Sequence, residues 1–122
     1  MNNPKNTLVI GASTKPERYS YKAIHMLREH HHPVFAIGTK QEELFGISIY
    51  TDLVAFKDID TITLYINPDI QKNYLEYMIS LHPKRIIFNP GTENPSIYST
   101  LQLHHIKCLE ACTLVLLSTN QF

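Results

Sequence analysis

The chain has 122 residues, 43% of them hydrophobic, which is enough to fold one domain around a buried core. Its 11 basic residues balance its 11 acidic residues, so charge gives no reason to expect binding to nucleic acid or to an anionic membrane. No apolar run approaches the roughly 20 residues of a membrane span, and the polar residues 1–6 do not lead into a signal peptide, so we expect a cytoplasmic protein.

The stretch at residues 7–18 combines a buried strand with a turn suited to a phosphate group. The apolar run at 8–10 has the β-branched content of a strand buried on both faces, and small residues and two cations follow it. Glycine lets the backbone approach a ligand closely, and the free N–H groups of the helix predicted over residues 20–29 favour an anion. A plain strand-to-helix turn is the alternative interpretation. The candidate phosphate-binding residues are Gly11, Ala12, Ser13, Thr14, Lys15 and Arg18.

This turn lacks the dinucleotide-binding fingerprint. A G-x-G-x-x-G pattern that starts at Gly11 requires glycine at positions 13 and 16, where the chain has Ser13 and Pro16. A pyrophosphate is therefore not expected to sit here as it does in an NAD site.

Three consecutive histidines, His30, His31 and His32, end the first predicted helix before Pro33. Consecutive side chains point in different directions, so the triplet is a poor metal site and no metal is predicted. Cations at a helix C-terminus are the simpler explanation.

The second predicted strand, at 34–37, ends in Gly38, Thr39 and Lys40. A Rossmann NAD site has an acid near this strand end to bind the ribose diol, whereas this chain has Thr39 and Lys40 there, and Glu42 and Glu43 come only later. Lys40 instead suits a ligand with an additional phosphate on its ribose. A solvated surface lysine is the alternative interpretation.

Residues 41–57 are predicted to be irregular, with a short extended piece at 47–50 and a helical turn at 52–56. Asn-Pro pairs at 67–68 and 94–95 predict two helix starts, because asparagine is a good N-cap and proline is tolerated in the first turn. The remaining predicted elements are strands at 61–66, 85–88 and 106–109, and a strand or helix at 114–117.

Strands that alternate with helices predict an α/β fold formed by residues 1–122 as one domain. We expect a doubly wound, mostly parallel, five-stranded Rossmann-like sheet with helices on both faces, and 3-2-1-4-5 is the simplest strand order. Ligands of such sheets bind at the carboxyl ends of the strands, which predicts a nucleotide-like ligand without specifying a reaction. The unusual clusters at those ends are 11–14, 38–40, 66–68, 89–92 and 110–112.

Four motifs together resemble the small CoA-binding proteins. They are Val-Ile-Gly-Ala-Ser at 9–13, Lys-Pro-Glu-Arg-Tyr-Ser at 15–20, Asn-Pro-Gly-Thr-Glu-Asn at 89–94 and Glu-Ala-Cys-Thr at 110–113. The single Rossmann-like domain of that family is similar to the CoA-binding domain of the succinyl-CoA synthetase α subunit. The resemblance covers nearly the whole chain.

The resemblance implies that coenzyme A lies along the strand ends. It places the CoA diphosphate at the first turn, on Gly11, Ala12, Ser13, Thr14 and Arg18. The adenosine end approaches Gly38, Thr39 and Lys40, and the ribose 3′-phosphate of CoA agrees with a lysine there. The remaining groove residues are Ile66, Asn67, Pro68, Asn89, Pro90 and Gly91. The synthetase relatives carry their phosphorylated histidine in a further domain for which this chain has no residues, so synthetase activity is not expected.

Cys112 is the first candidate for chemistry, because it follows a strand end near the predicted groove. A small apolar role is the alternative interpretation. No acid/base pair or nucleophile motif is recognisable, so we expect a protein that binds CoA or acyl-CoA, as a monomer or homodimer, without evident catalysis. Two alternatives stay open: an NAD(P)-binding oxidoreductase-like or redox-sensing domain, and an interaction domain with a vestigial cleft.

Overall fold

A seven-stranded sheet forms the centre of the computed structural model, which describes residues 3–122. The strands are β1 (Thr7–Ala12), β2 (Val34–Gly38), β3 (Glu42–Leu44), β4 (Ile47–Tyr50), β5 (Thr61–Leu64), β6 (Arg85–Phe88) and β7 (Lys107–Glu110). The helices are α1 (Tyr19–Glu29), α2 (Pro68–Gln71), α3 (Leu75–Ser80), α4 (Pro95–Leu103) and α5 (Thr113–Ser118), with a 3-10 turn at Lys72–Tyr74. Within the described part of the chain, no helix is long and apolar enough to cross a membrane.

The sheet order is β3-β4-β2-β1-β5-β6-β7, and every neighbouring pair is parallel except β3 and β4. β3 and β4 form a hairpin whose two loop residues, Phe45 and Gly46, have φ of 52° and 80°. Positive φ at both positions is the signature of a type I′ turn, which matches the twist of the paired strands. The predicted class, a mostly parallel Rossmann-like α/β sheet, is therefore confirmed, with seven strands instead of five.

The predicted strand order is wrong in one respect. The strand predicted at 61–66 was placed outside the second strand, but β5 pairs with β1 on its other side, Thr7 opposite Thr61. The outer position beside β2 is taken by β4, where Ala36 lies opposite Ile49. β4 has only one fully buried side chain, Ile49, and a short strand of that kind is a weak signal in the sequence.

Side chains of the central strands alternate between two apolar layers. Leu8 and Ile10 of β1 are fully buried on the face covered by α3 and α4, where Met78 and Leu101 are also fully buried. Val9, between them, packs on the opposite face with residues of α1 and α5. Helices therefore cover both faces, as predicted, and the strand ends remain uncovered for a ligand.

Three local predictions, at residues 52–56, 67–68 and 114–117, can be compared with the structure. The helical turn predicted at 52–56 is wrong: this segment is non-helical, and Tyr77 of α3 donates a 2.6 Å hydrogen bond to the carbonyl of Val54. The helix start at Asn67 is confirmed, because its side-chain Oδ1 accepts the N–H of Ile70 at 3.0 Å. The run at 114–117, left open between strand and helix, lies in α5.

Candidate functional site

The end of β1 contains a β-bulge at Gly11. Ile10 pairs with Ile37 and Ala12 pairs with Gly38, so Gly11 is an extra residue in β1, and its φ is 94°. A Cβ atom on Gly11 would lie 2.7 Å from the carbonyl oxygen of Tyr65. Glycine tolerates this positive φ, but the space that it leaves free is filled by protein backbone rather than kept for a ligand.

Gly38 has a similar structural role at the end of β2. A Cβ atom there would lie 2.5 Å from the carbonyl oxygen of Ala12 and 2.9 Å from a methyl group of Ile49. Gly38 is buried and does not line the cavity described below. Glycine at this position lets β1, β2 and β4 come together at their carboxyl ends.

A cavity of about 520 Å³ opens at the carboxyl ends of the central strands. This volume lies within the usual range for small-molecule sites. The predicted site residues that line it are Gly11, Ala12, Ser13, Thr14, Lys15, Arg18, Thr39, Lys40, Ile66, Asn67, Pro90 and Gly91. The predicted residues outside its lining are Gly38, Pro68, Asn89 and Cys112. The lining residues that were not among the candidate site residues are Tyr19, Ser20, Glu42, Tyr65 and Thr92, although Thr92 belongs to the strand-end cluster at 89–92.

Asn89 is a structural residue behind the cavity wall. Its side-chain Nδ2 donates to Thr63 Oγ1 at 2.7 Å and to the carbonyl of Leu64 at 2.9 Å. Its Oδ1 accepts the N–H of Thr113, the first residue of α5, at 2.9 Å. Asn89 is 3% exposed, so these three bonds join β5, β6 and α5 inside the protein.

Gln71 of α2 organises the loops that follow β5 and β6. Its Nε2 donates to the carbonyls of Ile66, at 3.0 Å, and Thr92, at 2.7 Å. Its Oε1 accepts from Nδ2 of Asn94 at 3.1 Å, and the residue is fully buried. A glutamine next to an apolar stripe gives no signal in the sequence, because two of its three partners, Thr92 and Asn94, lie more than 20 residues away along the chain.

Positive charge and free backbone donors meet at the beginning of α1. Lys15, Arg18 and Lys40 are exposed at the cavity, and no ion pair within residues 3–122 involves any of them. Arg18 is the N-cap of α1 but makes no side-chain capping hydrogen bond, and the first helical residues, Tyr19 and Ser20, line the cavity. An uncapped helix N-terminus next to three cations is a favourable environment for an anion.

Glu42 brings a carboxylate to the same cavity. β3 turns back beside β4, so Glu42 lies next to the first turn, and Thr14 Oγ1 donates a 2.8 Å hydrogen bond to its Oε2. Glu42 was missed in the sequence because residues 41–57 gave no clear strand pattern.

Tyr65 lines the wall of the cavity behind the bulge. Burial raises the pKa of Tyr65 to about 12, so the phenol stays neutral at physiological pH.

Glu93 and Glu110 have structural hydrogen-bond partners, and Cys112 lies outside the cavity lining. Glu93 Oε1 accepts the N–H of Gly91 at 2.8 Å, and Glu110 Oε2 accepts the hydroxyl of Tyr98 at 2.8 Å. Cys112 is the partly buried N-cap of α5, outside the cavity lining. None of these contacts assembles a nucleophile with a base.

The histidine triplet has two kinds of residue. His30 and His31 are exposed, but His32 is 6% exposed and its Nδ1 accepts the N–H of Lys5 at 2.9 Å. Burial, with the nearby charge of Lys5, lowers the pKa of His32, so the explanation of three cations at a helix end is wrong for this residue. Within residues 3–122, no three His, Cys, Asp or Glu side chains are grouped as a metal site.

Comparison with known proteins gives a family and a set of similar folds. Residues 5–118 match the family described as CoA binding domain. A crystal structure of an uncharacterized protein is similar at 41% identity and a TM-score of 0.96, covering 99% of this chain and 100% of that one. A hypothetical protein from Pyrococcus horikoshii OT3 is similar at 26% identity and a TM-score of 0.80, covering 92% of this chain and 80% of that one. No curated protein matches the chain.

A synthetase contains a domain of the same fold. The dinucleotide-forming acetyl-coenzyme A synthetase 1 of Ca. Korarchaeum cryptofilum, solved with phosphate and ADP, is similar at 18% identity and a TM-score of 0.74. The similarity covers 89% of this chain but only 26% of the synthetase, and at this identity it shows the fold alone. The family match, in contrast, spans nearly all the described residues. The chain belongs to the CoA binding domain family.

Proposed function

We propose that the protein binds coenzyme A, or an acyl-CoA, in the cavity at the carboxyl ends of its parallel strands, without catalysis of its own. The observation that carries the proposal is that Lys15, Arg18 and Lys40, which form no ion pair within residues 3–122, line the same cavity as the uncapped start of α1. A diphosphate at this point would receive backbone N–H groups and charged side chains at once, and hydrogen bonds between charged partners are the stronger kind. The family match supports CoA as the source of that diphosphate.

The rest of the ligand is assigned along the cavity. The diphosphate is placed on the turn at 11–14 with Lys15 and Arg18, and the ribose 3′-phosphate on Lys40 at the end of β2. The pantetheine arm would run past the loops after β5 and β6, whose lining residues are Ile66, Asn67, Pro90 and Gly91. Asn89 and Gln71 hold those loops in place from inside the protein.

An NAD(P)-binding domain is the second candidate function, and Glu42 favours it. The lack of an acid near the end of β2 was the sequence argument against NAD, yet β3 brings this carboxylate into the cavity. The missing glycines at positions 13 and 16 still disfavour a dinucleotide pyrophosphate. The two candidates differ in the ligand that binds most tightly.

Isothermal titration with CoA, dephospho-CoA and NAD separates the candidates. We expect CoA to bind more tightly than dephospho-CoA, because only CoA carries the phosphate assigned to Lys40, and NAD to bind poorly. NAD as the tightest ligand would select the second candidate, and no affinity for any of the three would remove both.

Arg18→Ala tests the assignment of the diphosphate. We expect it to weaken CoA binding by about 1.5–3 kcal/mol, nearer the lower value because Arg18 is exposed. Arg28→Ala is the matched control: it removes an exposed arginine from the last turn of the same helix, away from the cavity. Unchanged affinity in a folded Arg18→Ala protein would show that Lys15 or the backbone holds the diphosphate instead.

A further inference from the structure

Glu42 is the one carboxylate among the described residues that line the cavity. It projects into a region that otherwise carries the positive charges of Lys15, Arg18 and Lys40. Within residues 3–122 no ion pair joins it to any of these cations. A carboxylate beside a phosphate-binding turn repels an anionic ligand. A hydrogen bond that the ligand donates to the carboxylate offsets this repulsion.

The geometry leaves one side of this carboxylate available. Thr14 Oγ1 donates a 2.8 Å hydrogen bond to Oε2 of Glu42. This bond holds the part-buried Glu42 side chain between the turn after β1 and the loop after β2. An ionised carboxylate only accepts hydrogen bonds, so the remaining oxygen can accept one from a ligand. The proposed function assigns the adenosine end of the ligand to the end of β2, and on that side of the diphosphate the nearest donors are the ribose hydroxyls.

We propose that Glu42 and Lys40 together read the ribose of the bound nucleotide, a selection that rests on the proposed function of the cavity. Glu42 accepts a hydrogen bond from the ribose 3′-hydroxyl of a ligand that has one, and Lys40 binds the phosphate that CoA carries at the same 3′ position. The two side chains act in opposite directions. The carboxylate favours a ribose diol, whereas the ammonium group favours a ribose monophosphate, and the preference for CoA over dephospho-CoA is the balance between them.

This pairing predicts opposite effects of two substitutions on ligand selectivity. Glu42→Gln keeps an acceptor for Thr14 but removes the charge, so dephospho-CoA loses its strongest hydroxyl contact while the 3′-phosphate of CoA loses a repulsive neighbour. The ratio of dissociation constants, dephospho-CoA over CoA, therefore rises about tenfold, the low end for hydrogen bonds to charged groups. Lys40→Met keeps the aliphatic stem and lowers the same ratio by a similar factor.

Glu43→Gln is the matched control for the charge change. Glu43 is the next residue of β3, is exposed and does not line the cavity. Its substitution alters the net charge of the protein by the same amount and is expected to leave the ratio within about twofold, as for a distant screened charge. Circular dichroism of each variant establishes that the fold is retained.

Each outcome of the titrations has a defined meaning. A ratio that rises in Glu42→Gln, falls in Lys40→Met and stays constant in Glu43→Gln supports the proposal. An unchanged ratio in folded Glu42→Gln, or an equal loss of affinity for both ligands, overturns it, because Glu42 would then act only on the part that the two ligands share. Failure of the unsubstituted protein to bind either ligand is a separate result, which refutes the proposed function itself.

Discussion

Replacement of Gly11 by alanine tests the close approach on which the shape of the site depends. Two costs are expected. The backbone at Gly11 has φ of 94°, and a side chain held in such a region costs about 1–3 kcal/mol. The added Cβ would also lie 2.7 Å from the carbonyl oxygen of Tyr65, so the backbone has to shift, a second cost of about 1–3 kcal/mol by analogy with overpacked cores.

Gly91 and Gly46 separate these two costs. Gly91 has φ of 92° and Gly46 has φ of 80°, but a Cβ atom at either position meets no atom within 4 Å. Alanine at these two positions is therefore destabilised only by the positive φ. Alanine also restricts the unfolded chain, which favours folding by about 0.4–1 kcal/mol. This gain is common to all three variants and cancels when they are compared.

We expect Gly11→Ala to lower the free energy of unfolding by about 4 kcal/mol and the two control variants by about 2 kcal/mol. Urea titration followed by circular dichroism measures these values, and an unchanged m value shows that the transitions are comparable. Equal destabilisation in all three variants would refute the reasoning, because the contact with Tyr65 would then cost nothing.

Three further predictions concern residues around the site. Asn89→Ala lowers the free energy of unfolding by about 2–4 kcal/mol, because buried groups of β5 and α5 lose their hydrogen bonds to the Asn89 side chain. Urea titration again measures the loss. Cys112→Ser leaves CoA affinity unchanged in calorimetry, since Cys112 lies outside the cavity lining; a mixed disulfide of Cys112 with CoA in the intact mass would contradict a structural role. Burial lowers the pKa of His32 below its ordinary 6.5, so on acidification the imidazole is protonated in the unfolded chain before it is protonated in the folded protein. The contribution of neutral His32 to stability is therefore complete above pH 6.5 and declines as the pH falls below 6.5. His32→Gln flattens this decline in unfolding experiments between pH 7.5 and 5.5, whereas the exposed His30→Gln leaves it unchanged, and an equal slope in both variants would exclude His32 as the source.

The cavity differs from the sequence expectation chiefly in its charge. Lys15, Arg18 and Lys40 were expected at the cavity and do line it, but Glu42 offsets part of their charge. In the selection that we propose, this one carboxylate turns a simple preference for phosphate into a balance between a ribose hydroxyl and a ribose phosphate. The relative affinities for CoA, dephospho-CoA and NAD therefore carry more information about this site than any single dissociation constant.

The sequence by itself determined the parts of the protein that depend on local patterns. The strand, glycine turn and helix at 7–29 follow from an apolar run, a conformationally free residue and helical periodicity, all within a short stretch. The N-cap at Asn67 is equally local, because its partner is three residues away. Alternation of strands and helices was enough to predict the fold class and to place the clusters of small and polar residues at one edge of the sheet.

Only the tertiary structure decided the strand order, the position of Glu42 and the roles of Asn89 and Gln71. β4 takes the position beside β2 because Ile49 packs there, a contact between segments whose patterns are individually weak. An asparagine that lines a cavity and one that joins three elements from inside look the same in a sequence, since the difference lies in partners 24 to 26 residues away. Glu42 reaches the first turn only because a hairpin folds back, and its hydrogen bond to Thr14 spans 28 residues.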